Sequence, residues 1–207
     1  MAANWMRRTL MVAACASAAL LAACGSSTTE SAITPQRFIA FGDAMNDVGQ
    51  NGSRYTVNDG SVNNWTLQVV ANYGESLTPV SAGGLSYATG NARVSAKPDA
   101  AGNASTRTVT EQIDAFLASG SFAATDVVMV SGGVSDVIAG MAAVNAGTLT
   151  QDAMVAAARK AGEDLAAQVR RLVTAGAKYV VVTGTYDLSK TPWAKAIGRE
   201  ALLSNAS

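Results

Sequence analysis

No histidine occurs anywhere in the 207 residues. That absence excludes a complete Ser-His-Asp hydrolase and every His-ligated zinc centre. Cysteine occurs only twice, too few for a disulfide scaffold. Charge is sparse, at 14% of residues, and it is balanced, with fifteen basic against fifteen acidic side chains. A nucleic-acid-binding face needs a basic excess, so that class is excluded. The balance equally excludes an acidic, solvating chain. Proline is rare, four residues, whereas glycine is plentiful, nineteen. That combination suits a fold with many tight turns between strands and helices. The apolar fraction of 49% is enough for an ordinary core, and the length fits one domain.

The first 23 residues read as an address. Arg7 and Arg8 precede the apolar run from Leu10 to Leu21, which is too short and too alanine-rich for a membrane span. The run ends in Leu21-Ala22-Ala23-Cys24, followed by Gly25-Ser26-Ser27. These residues resemble a bacterial lipobox, which implies cleavage before Cys24 and lipid attachment to its thiol. Residues 1–23 are then a lipoprotein signal peptide, and the mature chain faces the cell envelope. It is expected at the outer membrane or on the periplasmic face. Residues 24–36 are rich in Ser and Thr without an apolar period, and read as a flexible tether. Residues 37–207 form the domain.

Three β-type apolar runs stand out within it: Arg37–Phe41, Asp126–Ser131 and Lys178–Thr183. Continuous apolar runs predict strands buried on both faces of a parallel sheet. Helical patterns separate them. One spans 64–73, one follows the capping-box sequence Thr108-Val-Thr-Glu111, and the clearest spans 151–175 with Gly176 as its stop. A short strand is expected near Leu85–Ala88, within long loops. Alternating strands and helices predict an α/β fold, a three-layer α/β/α sandwich of flavodoxin-like type. Ligands bind in such folds where loops leave the carboxyl ends of the strands. Those loops are 42–49, 132–137 and 184–192.

Two of the loops carry acids, Asp43 and Asp47 on one and Asp136 on the other. Such groups pair as acid and base, or ligate a divalent cation. Loop aspartates more generally cap helices and fix turns, and no ligand-spaced cluster accompanies these. The structural role is expected, with no metal and no cofactor. Ser131 and Ser135 lie near the same edge without an evident base, and Lys190 and Lys195 read as solvated surface. No Gly-x-Ser-x-Gly elbow occurs.

Four blocks carry a resemblance. Phe41-Gly-Asp-Ala-Met-Asn-Asp-Val-Gly49, Gly84-Leu-Ser-Tyr-Ala-Thr-Gly-Asn-Ala-Arg-Val94, Val130-Ser-Gly-Gly-Val-Ser-Asp-Val137 and Tyr186-Asp-Leu-Ser-Lys-Thr-Pro192 follow one another in order. Together they resemble the GDSL (SGNH) lipase/esterase family, in its bacterial phospholipase/lecithinase/haemolysin branch. The resemblance implies carboxylic ester hydrolysis by a serine just after the first strand, assisted by a histidine and an aspartate near the C-terminus. Oxyanion donors would be the serine N–H, a glycine of the second block and an asparagine of the third. Ala44 stands at the nucleophile position, Gly90 at the glycine position, with Asn91 where a second glycine usually follows, and Ser135 at the asparagine position. The Asp-x-x-His block is absent. The resemblance therefore implies an esterase scaffold that is inactive as it stands, with its sheet incomplete at the C-terminal side. The alternative is an envelope pseudoenzyme binding acyl or glycan ligands without turnover. An ester or lipid ligand class and membrane attachment through Cys24 are the implied partners.

Overall fold

The computed structural model describes residues 33–56 and 61–207. The expected signal peptide, Cys24 and the first part of the expected tether lie outside the described residues. Thr34–Ser207 forms one compact unit.

Strands β1 (Arg37–Phe41), β2 (Asp126–Ser131) and β3 (Tyr179–Thr183) pair in parallel, with β2 in the middle. The register sets Ile39 beside Val128 and Met129 beside Val181. The segment around Ser86 adds to the other edge. Ala40 N–H donates to the Leu85 carbonyl at 3.1 Å, and Tyr87 N–H donates to the Ala40 carbonyl at 2.7 Å. Both peptide groups of Ala40 therefore point away from β2. The short strand expected near Leu85–Ala88 is thus a single parallel bridge, Ala40 with Ser86. Counting it as the second strand in sequence, the spatial order is second, first, third, fourth. That is the flavodoxin-like order.

Among the described residues, six helices surround the sheet. They are α1 (Trp65–Asn72), α2 (Val109–Ser119), α3 (Val134–Asn145), α4 (Gln151–Thr174), α5 (Pro192–Ile197) and α6 (Glu200–Ala206). Their starts follow from capping chemistry. Asn64, Thr108 and Thr150 each accept a first-turn N–H through a side-chain oxygen, and Thr108 with Glu111 completes the capping box. Ile39, Phe41, Val128 and Val130 pack against Ile113 and Phe116 of α2 and Leu165 and Leu172 of α4. Phe41 and Phe116 meet edge to face, with centroids 5.7 Å apart. Alternation along β1 sends Phe38 to the opposite face, where its ring lies 5.8 Å from Tyr73 beside α1. Helices thus flank both faces, giving three layers. A second cluster joins Met141 of α3 and Met154 of α4 to Leu202 and Leu203 of α6.

Two expectations need correction. The loop 132–137 is shorter than predicted. Helix α3 begins at Val134, so Ser135 and Asp136 stand on its first turn. Strand β3 is also not buried on both faces. Tyr179, Val181 and Val182 are 38%, 43% and 45% exposed, and β3 is the outer strand of the sheet among the described residues. An apolar run reports its own preference for burial, and does not report whether a neighbour lies beyond it.

An exposed, uncharged edge strand is a template for pairing with another chain. The protein is therefore expected to associate as concentration rises, and Val181→Lys to suppress this. Light scattering checks it, and association unchanged by the lysine would assign the contact to another surface.

Candidate functional site

The strand order reverses between β1 and β2, so the crevice for a ligand lies at the carboxyl ends of those two strands. Here the chain crosses itself closely. Gly42, with φ of +136°, lies so near Ser131 that a Cβ on it would stand 2.1 Å from the serine Oγ. The Gln112 side chain clamps this turn from α2. Its Oε1 accepts the Gly42 N–H at 2.7 Å, and its Nε2 donates to the Gly42 carbonyl at 3.0 Å.

Each acid expected at this edge is tied into the fold. Asp43 N–H donates to Ser131 Oγ at 3.1 Å, and Ser131 Oγ donates in turn to Asp43 Oδ1 at 2.8 Å. Met45 N–H also donates to Oδ1, while Asp43 Oδ2 is sealed from solvent without a partner among the described residues. Asp47 Oδ1 accepts from the Gly49 and Gln50 N–H groups, and its Oδ2 accepts from Gly90 N–H at 2.7 Å. Asp136 Oδ2 accepts from Val94 N–H at 3.0 Å, and Oδ1 accepts from Arg93 Nε at 3.2 Å. The three carboxylates therefore work as cross-ties. They bind the β1 turn to β2, the β1 turn to the segment after Ser86, and that segment to the start of α3.

These ties decide what the site can do. Ser131, 1% exposed, does have a carboxylate in contact, yet its hydroxyl is committed and buried. It is not available to an ester. Ala44 lies in the turn leaving β1, partly exposed. Gly90 N–H, the expected oxyanion donor, already serves Asp47. The Tyr55 ring covers the same glycine, so that a Cβ there would lie 1.9 Å from the phenol oxygen. Asn91 holds φ of +65°, the left-handed conformation that Asn tolerates better than most residues. Ser135 is buried on the first turn of α3. Among the described residues, no group of three His, Cys, Asp or Glu side chains is gathered to hold a metal. No described helix is long and apolar enough to cross a membrane.

Sequence reasoning missed Gln112 and Arg93, which build this corner, and the pair Arg37–Asp126 at the opposite end of the same strands. Arg37 Nε and Nη2 reach Asp126 Oδ1 and Oδ2 at 3.0 and 2.5 Å, tying the starts of β1 and β2. Arg93 stood inside the second block and Asp136 inside the third, but nothing local joins them.

Burial pushes the Asp43 carboxyl above its usual range. The Ser131 hydroxyl and Met45 N–H oppose this, and the nearby charge of Asp136 adds to it. Asp136 is raised too, chiefly by burial, against the Val94 N–H and Arg93. An acid whose native pKa exceeds its unfolded value holds more protons when folded, so stability falls as pH rises through that window. Glu111 and Asp164 are held low, by Lys97 and Lys160 first, and act only below the ordinary carboxylate range. The melting temperature is therefore expected to rise on mild acidification from neutrality toward about pH 4. Asp43→Asn, permanently neutral, should flatten that rise. A rise of unchanged size in the variant would assign it to other groups.

No protein-family model matches the chain, and no curated protein matches it.

Proposed function

We propose that this chain is a lipid-anchored relative of the GDSL (SGNH) esterases that keeps the ligand crevice and lacks turnover. The observation that carries the reading is Ala44. It occupies the turn leaving β1, at the strand-order reversal where a nucleophile would face a bound ester, and it presents only a methyl group. The flavodoxin-like strand order supports the scaffold, and the four sequence blocks fall on the loops at one end of it. The absence of histidine removes the base. What remains is a binding protein of the envelope, held there through Cys24 and presenting its crevice to acyl or glycan groups.

Two experiments test it. Short-chain nitrophenyl esters should release no product above buffer, and release abolished by Ser135→Ala would reveal a different nucleophile. Cys24→Ser should move the protein from the membrane fraction to the soluble fraction, or leave its precursor unprocessed. Unchanged fractionation together with unchanged mass would overturn the anchor.

A further inference from the structure

Next to the Asp47–Gly90 tie lies a cavity of about 370 Å³. It is built by residues that flank the crevice loops. Gln50 and Asn51 follow Gly49, and Thr89 precedes Gly90, while 103–107 close the far side. The volume is at the small end for ligand sites. It suits one or two sugar rings and is short of a long acyl chain.

The lining divides into groups already engaged and groups with capacity left. The Gln50 amide is spent, donating to the Ser86 carbonyl and accepting from Ser81 N–H. Thr106 Oγ1 donates to Asp99, and Asn103 Oδ1 accepts from Ser105 N–H and Oγ. These bonds hold the walls. Among the described residues, no hydrogen bond engages the side-chain amide of Asn51, the phenol of Tyr87 or the guanidinium of Arg107. The Tyr87 ring is fixed from behind by Phe41 and Phe116, with centroids 5.4 and 5.9 Å away. It is a rigid aromatic wall with an unspent hydroxyl. Among the described residues, Arg107 is the only charged side chain lining the cavity, and no carboxylate pairs with it. A planar guanidinium with its donors unspent matches a carboxylate in two parallel hydrogen bonds. Amide and hydroxyl groups around a flat ring match the hydroxyls and ring face of a sugar.

We infer that this cavity binds a small sugar acid, a single hexose-sized ring carrying a carboxylate. Arg107 takes the carboxylate, Tyr87 packs against the ring, and Asn51 meets its hydroxyls. The inference stands whether or not Ala44 replaces a nucleophile, since none of these groups belongs to the ester chemistry.

The test is calorimetric titration of the full-length protein, in a detergent without a sugar headgroup, with glucuronate, methyl glucoside and acetate in separate arms. Glucuronate is expected to bind in the millimolar range, at least tenfold more tightly than either of the others. Arg107→Ala, which removes no hydrogen bond or ion pair of the side chain among the described residues, should bring glucuronate down to the level of methyl glucoside. Asn51→Ala should weaken both sugars and leave acetate unchanged. Acetate binding as well as glucuronate, unaltered glucuronate affinity in Arg107→Ala, or no heat with any arm at millimolar concentration would each overturn the assignment. Failure here leaves the hydrolysis result untouched, because that result is read on Ala44 and on nitrophenyl esters.

Discussion

Ala44→Ser is expected to leave ester hydrolysis at the background of the parent protein. Restoring a hydroxyl at the turn after β1 supplies a nucleophile without a base. The 207 residues hold no histidine to take its proton. The carboxylates at the same edge are occupied elsewhere: Asp47 holds three backbone N–H groups, and Asp136 holds Arg93 and Val94. Asp43 keeps one unpartnered oxygen, but that oxygen is sealed from solvent and its carboxyl is pushed toward the neutral form by burial. Removing a catalytic serine or its histidine alone costs about a millionfold in turnover, and losing both costs little more. Returning one of the two therefore gains almost nothing. Oxyanion donors and binding without the catalytic residues leave roughly a thousandfold to ten-thousandfold over water. Even that remainder requires free donors, and Gly90 N–H is taken by Asp47 at 2.7 Å. The measurement is initial rate with a short-chain nitrophenyl ester for parent, Ala44→Ser and Ala44→Ser with Asp47→Asn. Turnover in Ala44→Ser alone, well above that of the parent, would show that a base is present and that the edge acids are not merely cross-ties.

The parts of this architecture that a sequence displays are those set by neighbours in the chain. β1 and β2 start and stop where their apolar runs do, since both are covered on both faces. The α4 stripe, from Met154 through Leu165 to Leu172, gives that helix because its apolar residues recur at helical spacing. Helix α3 is hidden by its own composition. Its start, Gly132-Gly133-Val134-Ser135-Asp136, carries the residues of a turn, and Gly140 and three alanines blur its stripe. The site was legible as a place, because loops at the carboxyl ends of parallel strands converge. Its internal wiring was not. Gln112 reaches Gly42 across 70 positions, and Arg37 reaches Asp126 across 89. Pairings at such separations are made by the fold, and no spacing rule announces them. The aspartates show the same limit from the other side. Their residue type predicted turn-fixing, and Asp47 does fix the 47–50 turn, but its second oxygen ties down Gly90 43 positions away.

The crossing of β1 and β2 should be the least forgiving point in the domain, and Gly42→Ala should show it. At φ of +136° an L side chain is strained wherever it sits. Here the added methyl would also stand 2.1 Å from Ser131 Oγ, 2.6 Å from its carbonyl oxygen and 2.9 Å from its nitrogen. The hydroxyl can rotate away. The two backbone atoms belong to β2, which is held between β1 and β3, so they cannot move without shifting the sheet. Displacing Ser131 also breaks its two hydrogen bonds with Asp43, and moving Gly42 loosens both bonds to Gln112. Backbone strain costs about 1–3 kcal/mol, and overpacking a filled core about 1–3 kcal/mol more. A loss of roughly 2–6 kcal/mol is a large part of a total stability of about 5–15 kcal/mol. Gly52→Ala is the control. Gly52 also has a positive φ, +83°, but nothing lies within 4 Å of its Cβ position, so only the strain applies. Urea unfolding followed by circular dichroism should place Gly52→Ala within about 1–2 kcal/mol of the parent, and Gly42→Ala well below it. Equal losses in the two variants would mean that the contact with Ser131 contributes nothing, and that β1 and β2 have room to part at the crevice.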